Sequence, residues 1–289
     1  MTFDLHTFIL GVVQGLCEFL PVSSSGHLAL LQNFFGFNQE GLLAFDLLLH
    51  CATVLVILLF FRRETGLLAV QWTGGWFSSR ARQSWGWRYG WSILLASALT
   101  AAVGLPLKNT VERLMGSSLA VGCGLLVTAV LLAIVPLWTS GENTSDGVPA
   151  SLRYEAGRPL TLRAVLAVGI VQGLAVLPGV SRSGSTIAAG LIMGLAVDEA
   201  FRFSFLVSVP AVLGASLLEG LKLYREGLIL TGDGVLPAGW LWAASAAFVL
   251  GWIALKLMHR LVLSGRWAYF GLYCLFLGSA AILAALAIF

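Results

Sequence analysis

Apolar residues run in long blocks along this chain, without the strict alternation with polar positions that marks a half-buried strand. A helix needs about 17–25 such residues to cross a bilayer. Six stretches qualify: approximately 42–61, 91–107, 118–138, 203–223, 238–258 and 267–289. Two further apolar regions are interrupted. Residues 5–36 carry Pro21 and the run Ser23-Ser24-Ser25-Gly26, and residues 163–196 carry Pro178-Gly179 and the run Ser181-Arg182-Ser183-Gly184. Each half is short for a full crossing, and broken backbone at membrane depth is tolerated only where it faces protein or a wet cavity. Both regions are expected to be re-entrant helical hairpins whose tips meet in mid-membrane.

The two broken regions are copies. Residues 11–27 align without a gap on residues 169–185 at an offset of 158, with identities at Gly11, Val13, Gln14, Gly15, Leu16, Val22, Ser23, Ser25 and Gly26. The offset continues weakly, with Phe45 on Phe203, Leu48 on Leu206 and Val54 on Val212. The expected architecture is therefore all-α and polytopic. It is a single integral-membrane domain over 1–289, with internal repeats at approximately 1–138 and 160–289. Each unit holds one hairpin and three spans. Three is odd, so the second copy must be inverted, and inverted repeats with broken segments are a route to a central binding site.

Charge tests this topology. With the loop 62–90 inside, inner loops hold 12 of the 17 basic residues and outer loops four, Lys108, Arg113, Lys222 and Arg225. That asymmetry places both termini outside. Trp72, Trp76, Trp85, Trp87 and Trp91 cluster around the inner loop and read as interfacial anchors. Composition agrees: 58% of residues are hydrophobic and 11% charged, against about 25% charged in soluble domains. A net charge of +3 implies no nucleic-acid partner. The four cysteines sit singly in apolar stretches and read as small hydrophobes. Residues 1–8 contain no Lys or Arg, so no cleaved signal peptide is expected.

Few ionisable residues fall at membrane depth, where a charge is costly and marks function by default: Glu18, His27, Asp46, His50 and Arg182. If the tips meet, Glu18, His27 and Arg182 converge among Ser23, Ser24, Ser25, Ser181, Ser183 and Ser185. Gln14 and Glu18, four apart, share one helix face. Each Ser-x-Ser-Gly run opens a helix whose free N–H groups suit a phosphate, and Arg182 adds a planar fork for phosphate oxygens. One carboxylate with phosphate oxygens suits Mg²⁺ or Ca²⁺. Each residue also has a plainer reading. Glu18 and Arg182 would serve as an ion pair bridging the hairpins, His27 as a satisfied core histidine, and the serines as small residues easing helix packing. Asp46 and His50 read as support or substrate-entry residues.

The stretch from Gln14 to His27 resembles the (E/Q)xxxE plus P-x-S-S-x-G-H pattern of the bacterial undecaprenyl-diphosphatase, or bacitracin-resistance, family. The run from Pro178 to Thr186 resembles that family's P-G-x-S-R-S-G-x-T motif, and 45–53 and 203–210 are also similar to it. The resemblance covers nearly the whole chain. It implies hydrolysis of undecaprenyl diphosphate to the monophosphate and inorganic phosphate with a divalent cation, Mg²⁺ or Ca²⁺. It further implies a multi-pass enzyme of the cytoplasmic (inner) membrane whose site faces outward, recycling the lipid carrier for cell-wall synthesis. On it, Glu18 is the metal-linked acid, His27 the proton carrier and Arg182 the phosphate clamp, while Ser24 matches the serine nucleophile, with a water attacking in its place as the alternative. Ser23, Ser25, Gly26, Ser181, Ser183, Gly184 and Thr186 surround the phosphate. Gln14, the second metal-side residue, stands where many members have Glu, which weakens a two-carboxylate scheme. The expected partners are a polyprenyl diphosphate and membrane lipid, with a homodimer as the assembly allowed for. A polyprenyl-phosphate transporter or flippase is the rival reading.

Overall fold

The computed structural model describes residues 5–35, 42–135, 160–225 and 238–287. Among these, eleven α-helices occur and no strand. The first broken region gives α1 (Leu5–Phe19) and α2 (Ser24–Phe35). α3 (Leu42–Phe60) follows, then α4 (Arg62–Phe77), α5 (Trp85–Met115) and α6 (Ser118–Ile134). The second broken region gives α7 (Leu162–Leu174) and α8 (Arg182–Ile192). α9 (Val197–Arg225), α10 (Ala238–Leu263) and α11 (Ala268–Ala287) complete the chain.

Four described helices, α5, α9, α10 and α11, are long and apolar enough to cross a membrane. They become five if α3 and α4 count as one span bent by 81°. The expected span at 91–107 is the middle of a 31-residue helix that accommodates Pro106. The expected span at 118–138 is described only as far as Val135, and α6 has 17 residues. The stretch expected as an inner loop, 62–90, contains α4. The apolar run of α3 ends there, one residue ahead of Arg62 and Arg63, a charged pair that is costly in lipid. Trp72, Trp76, Trp87 and Trp91 pack against one another, mostly edge-on or tilted, where α4 lies against α5, with ring centroids 5.6–6.3 Å apart.

Large apolar side chains point outward along the long helices, as they must in lipid: Phe276, Leu272, Leu217 and Val249 are all more than half exposed. The interior is finely fitted instead. A Cβ at Gly11 or Gly15 on α1 would lie 2.3 Å from Ala243 O or 2.7 Å from Ala247 O on α10. The repeat partners behave alike: a Cβ at Gly169 or Gly173 on α7 would lie 2.7 Å from Ala96 O or 2.9 Å from Thr100 O on α5. Small residues thus draw each short helix against a long one, the usual device where lipid offers no hydrophobic drive between helices.

The two breaks meet. A Cβ on Gly26 would stand 2.9 Å from Gly179 Cα, and one on Gly184 would stand 3.1 Å from the Pro21 ring. Ser183 Oγ donates to Leu20 O at 3.2 Å. α6 holds the second break from behind: Thr128 Oγ1 donates to Gly179 O at 2.8 Å and accepts from Ser181 N at 2.9 Å.

Candidate active site at the paired breaks

The site begins with the last turn of α1. Gln14 Nε2 donates to Glu18 Oε2 at 3.1 Å, so the shared helix face read from the i,i+4 spacing is present. Pro21 cannot extend the helix, and Val22 N closes a turn on Leu20 O at 2.8 Å. Ser23 then takes φ 68°, the left-handed region, and is the one non-glycine among the described residues to do so. Its hydroxyl accepts from Gly26 N at 3.3 Å, capping α2, and contacts Ser25 Oγ at 3.3 Å. Ser24, the first residue of α2, is thereby set against Glu18: its Oγ donates to Oε2 at 2.6 Å.

The second break supplies the cation. Here the left-handed position falls on Gly179, φ 85°, where no side chain is strained. Ser181 caps α8 through its hydroxyl, which accepts from Gly184 N at 3.1 Å. Arg182, at the start of α8, donates through Nη2 to Glu18 Oε1. Its Nη1 is buried and has no partner. The buried pair therefore uses one side of the guanidinium fork and leaves the other free.

Glu18, Ser23, Ser24, Ser25, Ser181, Arg182 and Ser183 line one small polar cavity of about 180 Å³. Gly26 and Gly184 form the contact between the tips, and Thr186 is turned away, its Oγ1 2.5 Å from Ser204 Oγ. His27 does not line this cavity: it sits behind the first break, with Nδ1 2.8 Å from Ser23 O and Nε2 2.7 Å from Tyr273 Oη.

The imidazole that faces the cavity is His50, on α3, whose Nε2 lies 3.9 Å from Glu18 Oε2. Its Nδ1 lies 2.7 Å from Asp46 O, and Asp46 in turn accepts from Gln32 Nε2 at 3.1 Å. Sequence reading gave His50 only a supporting part, because it lies outside both breaks. Its i,i+4 pairing with Asp46 in an apolar span was the available signal. Tyr273 had no such signal, being a tyrosine in a span.

A second cavity of about 740 Å³, mostly apolar, opens from the first. The two share His50, Ala175, Val176, Arg182 and Val212. It runs between α5 and α9 to a rim where Lys108 pairs with Glu219 at 2.9 Å and Glu112 at 3.9 Å. No group of three or more His, Cys, Asp or Glu able to hold a metal occurs among the described residues. The donors beside the cavity are one carboxylate, Glu18, and behind it the Oε1 of Gln14, buried and without a partner. Amide O and N are interchangeable by a half-turn; turned over, Gln14 would offer an oxygen to a cation held by Glu18. That set fits a hard cation completed by phosphate oxygens and water, not an all-protein cage.

The model of the bacitracin resistance protein BacA family matches residues 7–280 of this chain. A protein named undecaprenyl-diphosphatase from Desulfosudis oleivorans is 41% identical over 281 residues, covering 95% of this chain and 96% of its own. Similar proteins of the same name from Carboxydothermus hydrogenoformans and Korarchaeum cryptofilum are 36% and 38% identical, each over 95% of this chain and 95% and 97% of their own.

Proposed function

This chain belongs to the bacitracin resistance protein BacA family, and from that membership and the site at its breaks we propose that it hydrolyses undecaprenyl diphosphate to undecaprenyl phosphate and inorganic phosphate. The observation that carries the reading is the pairing, in one cavity, of a half-used guanidinium on Arg182 with a serine hydroxyl held on Glu18. The relatives' shared name favours hydrolysis over the transporter reading.

The terminal phosphate sits between the breaks, its oxygens on Arg182 Nη1 and on the N–H groups that open α2 and α8. Ser24 Oγ gives its proton to Glu18 and bonds to phosphorus, while the bond from phosphorus to the bridging oxygen breaks and the lipid monophosphate leaves. Water then cleaves the phosphoserine, releasing phosphate and restoring the hydroxyl; a water attacking in place of Ser24 is the alternative course. A divalent cation, Mg²⁺ or Ca²⁺, held by Glu18 with help from Gln14 and the substrate, would neutralise diphosphate charge. The prenyl tail lies in the larger, mostly apolar cavity between α5 and α9, which is continuous with the polar one. The direct test is phosphate release from undecaprenyl diphosphate by purified protein. Release that requires Mg²⁺ or Ca²⁺ and stops with a chelator is expected; transfer of the lipid across vesicles with no phosphate released would overturn the assignment.

Gln14 has a graded role in this scheme. A neutral amide cannot serve as a base, but it positions Glu18 and can lend an oxygen. Gln14→Ala is expected to raise the cation concentration needed for half-maximal activity while keeping measurable turnover. Gln14→Glu should be tolerated, since it adds a carboxylate beside the cation. A metal titration of both variants decides it: Gln14→Ala inactive at saturating metal would assign Gln14 an essential part.

The membrane arrangement we propose is six spans and two re-entrant hairpins in an inverted repeat, in the cytoplasmic membrane with the site facing outward. The matching contacts of Gly11 and Gly15 on α10 and of Gly169 and Gly173 on α5 support the repeat. In a cysteine-free background, Gly116→Cys, in the outer turn between α5 and α6, should react with a membrane-impermeant thiol reagent on intact cells. Ser79→Cys, in the inner loop, should not. Labelling of Ser79→Cys with protection of Gly116→Cys would reverse the orientation.

A further inference from the structure

The two breaks solve one geometric problem in different ways. Each must reverse the chain, place a serine as helix cap, and start a new helix on the next residue. The second break puts its left-handed turn on Gly179, and Ser181 stands relaxed at φ −73°. The first break puts it on Ser23 itself, a buried residue with a side chain. A left-handed conformation at a non-glycine residue persists only when its surroundings over-determine it. Glycine at 23 would remove the strain and also the hydroxyl that caps Gly26 N and lines the cavity.

His27 is the restraint. One carbonyl, Ser23 O, takes two contacts from this residue: the backbone N–H at 3.2 Å and the ring Nδ1 at 2.8 Å. A carbonyl only accepts, so Nδ1 carries a hydrogen, and in the neutral ring Nε2 must be an acceptor. Tyr273 Oη supplies that donor at 2.7 Å, the two rings lying parallel within 4°. Tyr273, itself part-exposed, reaches in from α11 to the buried His27. The repeat is an internal control. Ser185 occupies the position of His27 in the second copy, and its Oγ has no partner. Where no serine is strained, no clamp is built.

We propose that His27 and Tyr273 form a positioning clamp that holds Ser23 in its left-handed conformation and so aims Ser24 Oγ at Glu18 and the phosphate. His27 is then not the residue that carries the proton. Both ring nitrogens are engaged away from the cavity, whereas the His50 imidazole faces it. The clamp requires a hydrogen-bond donor at the place of Nδ1, not a titrating ring. This inference rests on the diphosphatase reading, since it concerns the aim of that reaction's nucleophile.

Asn places an amide N–H where Nδ1 stands and cannot titrate, so it separates clamping from proton transfer. The experiment is phosphate release from undecaprenyl diphosphate across pH for wild type, His27→Ala, His27→Asn and Tyr273→Phe, each checked for monodispersity and melting temperature. His27→Ala frees the turn and should lower kcat by about a hundredfold, the scale of an ångström-sized misplacement. His27→Asn should recover to within about tenfold of wild type with an unchanged pH–rate profile, because a proton carrier would have left its limb on that profile. Tyr273→Phe should cost a few-fold and leave the profile unmoved. A folded His27→Asn as inactive as His27→Ala, or a displaced pH limb in Tyr273→Phe, overturns the clamp and returns His27 to proton transfer. Failure of the wild type to release phosphate overturns the diphosphatase reading instead.

Discussion

Arg182→Lys should lower kcat/KM at least about a hundredfold, although it preserves the charge. The reason is the fork. Arg182 lines the cavity, commits Nη2 to Glu18 Oε1 and keeps a buried, unpartnered Nη1. Two rigidly coupled donors hold the acid and a phosphate oxygen at once. A lysine ammonium is a compact point charge on a flexible stem; if it pairs with Glu18 it leaves the phosphate, and if it follows the phosphate it leaves a buried carboxylate uncompensated. Arg182→Ala is a harsher change of another kind. It strands Glu18 without a partner, and breaking a buried pair this way costs about 3–5 kcal/mol of stability. Low activity in the alanine variant would thus mix misfolding with lost chemistry. Replacing both partners by apolar or neutral groups is often tolerated by the fold, so Glu18→Gln/Arg182→Met should regain much of the melting temperature lost by Arg182→Ala and none of its turnover. Phosphate release and thermal unfolding measured on all three separate the effects. Near-full turnover by Arg182→Lys would remove the clamp from the mechanism.

What the sequence made legible follows from how locally each feature is encoded. The breaks were readable because Pro21, Pro178 and the Ser-x-Ser-Gly runs are short-range signals, and the offset of 158 exposed them as a pair. Meeting of the tips could be inferred from that pairing, and Glu18, Ser24 and Arg182 do share a cavity. Gly11, Gly15, Gly169 and Gly173 were visible as identities, but their close approaches to α10 and α5 depend on which helices become neighbours. No local pattern says so. His50 was undervalued for the same reason. Its distance to Glu18 is set by the docking of α3 against α1, across a sequence separation of 32. Tyr273 meets His27 across a separation of 246 residues. The bend into α4 was half legible: Arg62 and Arg63 mark the end of an apolar span, but nothing in them encodes a turn of 81°. The left-handed turn at Ser23 was hidden because Gly26 and Pro21, close by, are the residues usually suspected of unusual backbone.

Glu18→Gln should reduce turnover at saturating substrate by at least about a thousandfold, because one side chain answers for several functions. Among the described residues, Glu18 is the only carboxylate lining the polar cavity, and its Oε2 receives Ser24 Oγ at 2.6 Å while Oε1 receives Arg182. Glutamine keeps the volume and can still accept from Arg182 through its carbonyl oxygen. It cannot take a proton from the attacking hydroxyl, and it offers a cation no charge. Substrate binding should suffer less than turnover, since a guanidinium released from its carboxylate has more to offer a phosphate. The expected signature is therefore a collapse of kcat with a smaller change in KM, the pattern of an interaction made chiefly in the transition state. Ser24→Ala, run alongside, tells the two nucleophiles apart. If Ser24 attacks phosphorus, its removal leaves Glu18 nothing to deprotonate and the two variants should be comparably inactive. Wild-type enzyme quenched during turnover should then yield phosphoserine at residue 24. If water attacks, Ser24→Ala should keep a substantial fraction of turnover, because Glu18 can activate a water in the space vacated by the hydroxyl. A Glu18→Gln enzyme within about tenfold of wild type would mean that the proton and the charge are handled elsewhere, and His50, 3.9 Å away across the cavity, would be the first residue to replace.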